Sequence, residues 1–167
     1  MTEISRVGTS QNLEDGGTFD LLIMGFPNGF PRGYVSFEIG DTPRRVTGVQ
    51  KVVQTFLLAL LTDKGSDPVH PNRGTDFNNY VAGANVGTDY EELTTVIRHC
   101  IQDAETQTKA TLNGNANDTA SQLASVDIGF VEAVSETLNI GLRILTLDGN
   151  TASVAIPFPQ TDLALNG

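Results

Sequence analysis

Cysteine is nearly absent from this sequence. Cys100 stands alone, so no disulfide can close within the chain, and nothing points to a secreted, bridged scaffold. Positive charge is scarce as well: ten Lys and Arg face 20 Asp and Glu, a net charge of −10. Nucleic-acid backbones and anionic membranes are gripped by clustered Lys and Arg, so neither is an expected partner. No apolar run approaches the roughly 20 residues that span a bilayer. The opening stretch MTEISRVGTSQNLEDGG has no apolar core of the signal-peptide kind. A soluble chain, made in the cytoplasm, is the expectation. Motifs that carry chemistry are missing too: there is no G-x-S-x-G, no P-loop, no dinucleotide fingerprint and no H-E-x-x-H.

What the chain does have suits one domain. Its 167 residues are enough to bury a sizeable core, and 39% of them are hydrophobic. Seventeen glycines imply generous loops. The acidity is uneven: residues 1–87 carry nine acids and seven bases, whereas 88–167 carry eleven acids and three bases. A basic partner is therefore expected to prefer the second half.

Periodicity predicts an α+β fold: an N-terminal β-hairpin, two main helices and a small antiparallel or mixed sheet at the C-terminal end. Residues 1–18 read as a flexible arm, 19–158 as a single domain and 159–167 as a tail. FDLLIMG (19–25) and the alternating YVSFEIG (34–40) make the hairpin, with the Asn28-Gly29 turn signal in its proline-rich tip. Thr42-Pro43 looks like a helix cap, followed by Val46, Val49, Val53, Phe56, Leu57 and Leu60 at helical spacing, with Gly65 as terminator. Thr88 and Glu91 match a capping box for a second helix that carries Leu93, Val96, Ile97, Cys100, Ile101 and Ala104 and runs to about Leu112. A helical turn is expected within 118–124. Three strand-like runs follow, SVDIGFVEA, LNIGLRILTL and TASVAIPF, the last two joined by the turn signal Asp148-Gly149-Asn150.

The segment LTDKGSDPVHPNRGTDF, between the helices, raises the functional question. His70 lies near Asp67 and Asp76, but no third ligand comes with metal-binding spacing, so a polar loop histidine is the preferred reading and no metal is expected. His99 and Cys100 are neighbours on a helix and diverge by roughly 100°. Cys100 then falls on the apolar stripe and reads as core. Glu91 and Glu92 answer the helix dipole rather than forming an acid/base pair. Glu105, in mid-helix, finds a natural partner in Lys109 at i+4. No catalytic residue and no cofactor emerge. The loop itself combines Gly65 and Gly74, suited to positive φ, with Pro68 and Pro71, which fix φ. Asp67, Asn72 and Asp76 can close local turns. Such a segment could be a pre-ordered docking surface or simply a well-made connector.

The order of these pieces resembles the baseplate wedge, or sheath-initiator, family of contractile phage tails, whose small wedge subunit once carried the label of a tail lysozyme. The resemblance spans roughly residues 35–158. It rests on a leucine-rich helix followed by L-x-T-x-x-G and P-x-x-G, here Leu60, Thr62, Gly65, Pro71 and Gly74. The family's Glu-Pro-Arg triplet is represented by Glu105-Thr106-Gln107, so its packing role carries over to Glu105 alone. The resemblance implies a non-catalytic virion protein of the tail baseplate, present in a ring of about six copies. Its expected partners are other wedge proteins, sheath protein and tail-tube protein. It also implies that a strand edge, here Thr151, Ser153, Val154, Ala155 and Ile156, pairs with the first sheath ring. A tail-associated peptidoglycan hydrolase and a cytoplasmic adaptor of the same fold are the alternatives.

Overall fold

Val52, Val53, Phe56, Leu57 and Leu60 recur at three- and four-residue spacing in the helix α1 (Gly48–Leu61), and none is more than 1% exposed. The computed structural model describes residues 20–21, 24–25, 36–37, 45–82, 90–114, 118–134 and 137–159. Within it, burial extends round α1 to Lys51 and Gln54, beyond the single broad face the sequence suggests. The cause is position. α1 is packed by the long helix α3 (Tyr90–Leu112) and by the C-terminal sheet, so two neighbours cover it rather than one.

That sheet is antiparallel, with strands β5 (Leu123–Val134), β6 (Thr137–Thr146) and β7 (Thr151–Pro159) in sequence order. The architecture is α+β, as the periodicity implies. Leu138, Ile140, Leu142 and Ile144 of β6 are buried at every second position, with Ala152, Val154 and Ile156 of β7 beside them. Period-two burial of this kind fixes register, since a one-residue slip would turn every one of these side chains to solvent. Phe158 closes the layer against Phe77, ring edge to face, with centroids 5.1 Å apart.

The β6–β7 turn follows its signal. Gly149 takes φ +88°, its N–H donates to the Thr146 carbonyl at 3.0 Å, and the Thr146 N–H donates to the Asn150 carbonyl at 2.9 Å. This is a three-residue hairpin loop with glycine at its left-handed position. The Thr146 hydroxyl and Asn150 N–H both donate to the Asp148 carboxylate, and these bonds hold its pKa below the ordinary range.

At the other end, β1 (Asp20–Leu21) pairs with β4 (Arg45–Val46), and β2 (Met24–Gly25) pairs with β3 (Ser36–Phe37), both antiparallel. The β2–β3 pairing is the expected hairpin. Its tip at 26–33, the 1–18 arm and residues 160–167 lie outside the described residues. Among the described residues no helix is long and apolar enough to cross a membrane.

Three local expectations need correction. The first helix does not begin near Thr42-Pro43, two residues outside the description. Arg45 and Val46 are strand, and α1 starts at Gly48, whose φ is +59° and whose N–H donates to Ser121 Oγ at 3.0 Å. Strand pairing and a hydroxyl 73 residues away override the local cap signal. Gly65 does not end α1 either. Thr62 turns extended at the C-cap, its N–H and its Oγ1 both donating to the Leu58 carbonyl, at 3.1 and 2.6 Å. A short helix, α2 (Phe77–Ala82), also precedes α3. The second helix does end at Leu112 and a 3-10 turn occupies Thr119–Ser121, both as expected, while Thr88 of the capping box is outside the description.

A tight approach on the sheet yields a test. Gly141 lies opposite Phe130, and a Cβ added there would overlap the Phe130 ring. The half-exposed ring thus covers the glycine. Gly141→Ala should lower stability by about 1–2 kcal/mol in urea unfolding. The cost should shrink in a Phe130→Ala background, where the colliding ring is gone; equal costs in both backgrounds would mean the ring is not what excludes the methyl.

Candidate functional site

The 62–75 loop is closed at its base by main-chain bonds. Thr75 N–H donates to the Thr62 carbonyl at 2.9 Å and Lys64 N–H to the Thr75 carbonyl at 3.1 Å, forming a parallel bridge between Asp63 and Thr75. The Thr75 hydroxyl donates to the Leu60 carbonyl at 2.6 Å and accepts the Phe77 N–H at 3.2 Å, so one side chain both ties the loop to α1 and starts α2. Asn78 adds a tie from α2, donating to the Leu61 carbonyl at 2.8 Å and to Asp63 Oδ1 at 2.9 Å.

The two loop glycines have the positive φ expected of them, +84° at Gly65 and +95° at Gly74, but their surroundings differ. Gly65 is exposed and faces open space. Gly74 is buried, and a Cβ there would collide with the Thr62 carbonyl oxygen. Only glycine lets the closing strands come this near. Thr62 is half-buried at the base, while Pro71 is exposed in the tip.

The tip is organised by its own side chains. Asp67 Oδ1 accepts the N–H groups of Val69 at 2.9 Å and His70 at 3.1 Å, an Asx turn that favours the ionised acid and lowers its pKa. Arg73 N–H donates to the His70 carbonyl at 2.9 Å. At the apex Val69 is 76% exposed, an apolar side chain held out to solvent by a hydrogen-bonded turn. His70 is exposed, with Nδ1 3.6 Å from Asp67 Oδ2. Among the described residues, no three His, Cys, Asp or Glu come together as metal ligands would. Cys100 is core, and burial raises the pKa of its thiol, while the neighbouring His99 is exposed. Glu91 and Glu92 stand exposed in the first turn of α3.

Glu105 is half-buried and meets Lys109 Nζ at 2.6 Å, the intrahelical pair its spacing suggests. The residue that reaches the loop is two positions on. Gly74 N–H donates to Gln107 Oε1 at 2.8 Å, and Gln107 Nε2 donates back to the Gly74 carbonyl at 2.9 Å. The sequence gives little sign of this, since a glutamine in mid-helix resembles a solvent-facing residue.

The β7 strand is the second candidate. Among the described residues it pairs with β6 alone. Which main-chain groups face outward follows from parity. Thr146 bonds Asn150, so the even residues of β7, opposite Ile144, Leu142, Ile140 and Leu138, are the hydrogen-bonded partners of β6. Pro157 and Pro159, which have no N–H, are odd, and proline is tolerated where a strand N–H would face away from its ladder. Thr151, Ser153 and Ala155 therefore direct N–H and C=O outward. Val154 and Ile156 bond inward, and their side chains are 3% and 4% exposed. The opposite edge, β5, is interrupted by register shifts at Leu123/Ser125 and Ile128/Phe130. Bulges of that kind spoil an edge as a template, so β7 is the regular one.

No protein-family model and no curated protein matches the sequence. Among solved structures, a Geobacter sulfurreducens protein provisionally named a tail lysozyme is similar at 15% identity, over 69% of this chain and 93% of that one, with a TM-score of 0.48. At that level the likeness assigns this chain neither a family nor a role.

The contrast between the two glycines can be measured. Gly65→Ala should cost about 1 kcal/mol, the strain of a positive φ alone. Gly74→Ala adds a collision with main chain and should cost roughly 2–4 kcal/mol. Equal midpoints in urea unfolding for the two variants would contradict the close approach at Gly74.

Proposed function

We propose that this chain is a structural component of a contractile phage-tail baseplate. It docks wedge subunits around the tail tube and starts sheath assembly by strand pairing. In this reading it turns over no substrate, needs no cofactor, and works in the virion as one of about six copies in a ring. Its partners are wedge, sheath and tail-tube proteins.

One observation carries the reading: β7 presents a regular row of outward main-chain groups at Thr151, Ser153 and Ala155, where another chain's strand can add. Strand addition draws its affinity from main-chain bonds, so it suits a contact that must be made many times with little demand on side-chain identity. Pro157 and Pro159 limit the template to a short segment, which restrains indiscriminate pairing. The motif supports the reading from a second direction. Leu60, Thr62 and Gly74 sit in the closed base of the loop and Pro71 in its exposed tip, so the pattern shared with the wedge family maintains a fixed protrusion.

The test uses two prolines one residue apart. Ala155→Pro removes an outward N–H, and the isolated protein should melt within a few degrees of wild type. Co-expressed with the rest of its tail genes, it should fail to start sheath. Val154→Pro removes a bond to β6 and should lower the melting temperature itself. Full-length sheath at wild-type yield from Ala155→Pro would place the sheath junction elsewhere. Clearing of cell walls by the purified protein would overturn the non-catalytic part of the proposal.

A further inference from the structure

We infer that Gln107 is the positioning residue of the 62–75 loop, its carboxamide holding Gly74 by the two bonds a neighbouring strand would make. Base, α1 and α2 are tied by Thr75, Asn78 and the main-chain bridge. The tie from α3 to the loop comes from Gln107, 33 residues away in sequence. Its neighbours in that turn are engaged elsewhere: Glu105 with Lys109, and the Thr106 hydroxyl with the Gln102 carbonyl.

The chemistry is selective. Gly74 offers one donor and one acceptor side by side, and a primary carboxamide offers the complementary acceptor and donor at matching separation. A carboxylate supplies only acceptors and would set negative charge against the Gly74 carbonyl. A neutral carboxylic acid again has both an acceptor and a donor. Gln107→Glu therefore turns the clasp into a switch operated by pH.

Asn113, six residues further along the chain, repeats the device. Its Nδ2 donates to the Leu123 carbonyl at 3.0 Å, and its Oδ1 accepts the Leu123 N–H at 3.1 Å, joining the end of α3 to the start of β5. That clasp holds the sheet, so it supplies an internal comparison for one that holds a loop.

The clasp itself stands on the geometry alone; its consequence for docking rests on the function proposed above. Lys64 and Arg73 place trypsin sites inside the loop, and the bond after Arg73 includes the clasped Gly74. In the full chain at neutral pH, Gln107→Ala and Gln107→Glu should speed cleavage after Arg73 by on the order of ten-fold or more, the loss of two neutral hydrogen bonds, while the melting temperature falls by only a few degrees. Asn113→Asp should do the reverse, lowering the melting temperature while leaving Arg73 resistant. Amide-exchange protection of Gly74 gives the pH readout. In Gln107→Glu the clasp favours the protonated acid, so its pKa in the folded state lies above the ordinary value of about 4.3. Protection should be complete below that value and disappear as pH rises through the folded value. At low pH Gln107→Glu should regain wild-type protection, and Gln107→Ala should not. Unchanged cleavage in both variants, or a glutamate variant as open as the alanine one at low pH, would overturn the assignment. Neither result bears on the Ala155→Pro experiment, so the clasp and the proposed function can fail separately.

Discussion

The structure depends on covering α1. A helix with buried residues on nearly every side cannot sit at a surface, so α3 and the β5–β7 sheet must both be brought against it. Burying side chains such as Phe56, Leu57 and Leu60 is worth roughly 1.5–3 kcal/mol each, far more than any single surface contact in the molecule. The connections follow from that requirement. The chain must leave α1, cross to α3 and return in the sheet, and the 62–75 loop with α2 begins the first of these crossings. Its tight base allows the helix to end abruptly at Leu61 while the apolar Phe77 drops straight into the core.

How much of this was legible depends on how far away the deciding partner lies. The strands of the sheet follow from local alternation, and the turn at Gly149 from three consecutive residues. Cys100 as core and the Glu105–Lys109 pair follow from helical spacing. The start of α1 does not: Thr42-Pro43 is a sound local signal, overruled by the pairing of β1 with β4 and by Ser121. α2 is six residues long and depends on Thr75, whose hydroxyl accepts the N–H of its first residue while bonding back to Leu60. In the site, the positive φ at Gly65 and Gly74 could be anticipated from residue type. That Gly74 lies against Thr62, and Gly65 against nothing, could not. Gln107 was invisible for the same reason, since its meaning resides in a backbone group 33 residues earlier.

Neutral carboxamides suit these junctions on energetic grounds. A charged side chain brought to a half-buried seam must shed water, and its new partners seldom repay the whole cost. A carboxamide sheds less and can satisfy a main-chain donor and acceptor together. Gln107 and Asn113 thereby extend to α3 the kind of pairing a strand would provide. On α3, Glu105 and Gln107 stand two positions apart and divide these roles. In this chain the charged residue is spent on Lys109 within the helix, and the amide makes the longer reach to the loop.

An open strand edge is a liability as well as an opportunity, because copies of one chain present the same template to each other. Two features of this molecule work against self-pairing at β7. Pro157 cuts the usable segment to the outward groups of Thr151, Ser153 and Ala155, which leaves few bonds to recover the entropy lost on association. Charge is the other. The chain carries a net charge of −10, so two copies approaching one another repel at low ionic strength. The same field attracts a strand borne by a basic surface and raises its encounter rate. In the proposed role this bias is needed, since an initiator must accept a foreign strand while many identical copies stand nearby. The edge supplies bonds that do not discriminate among sequences, and the net negative charge of the chain disfavours a second copy.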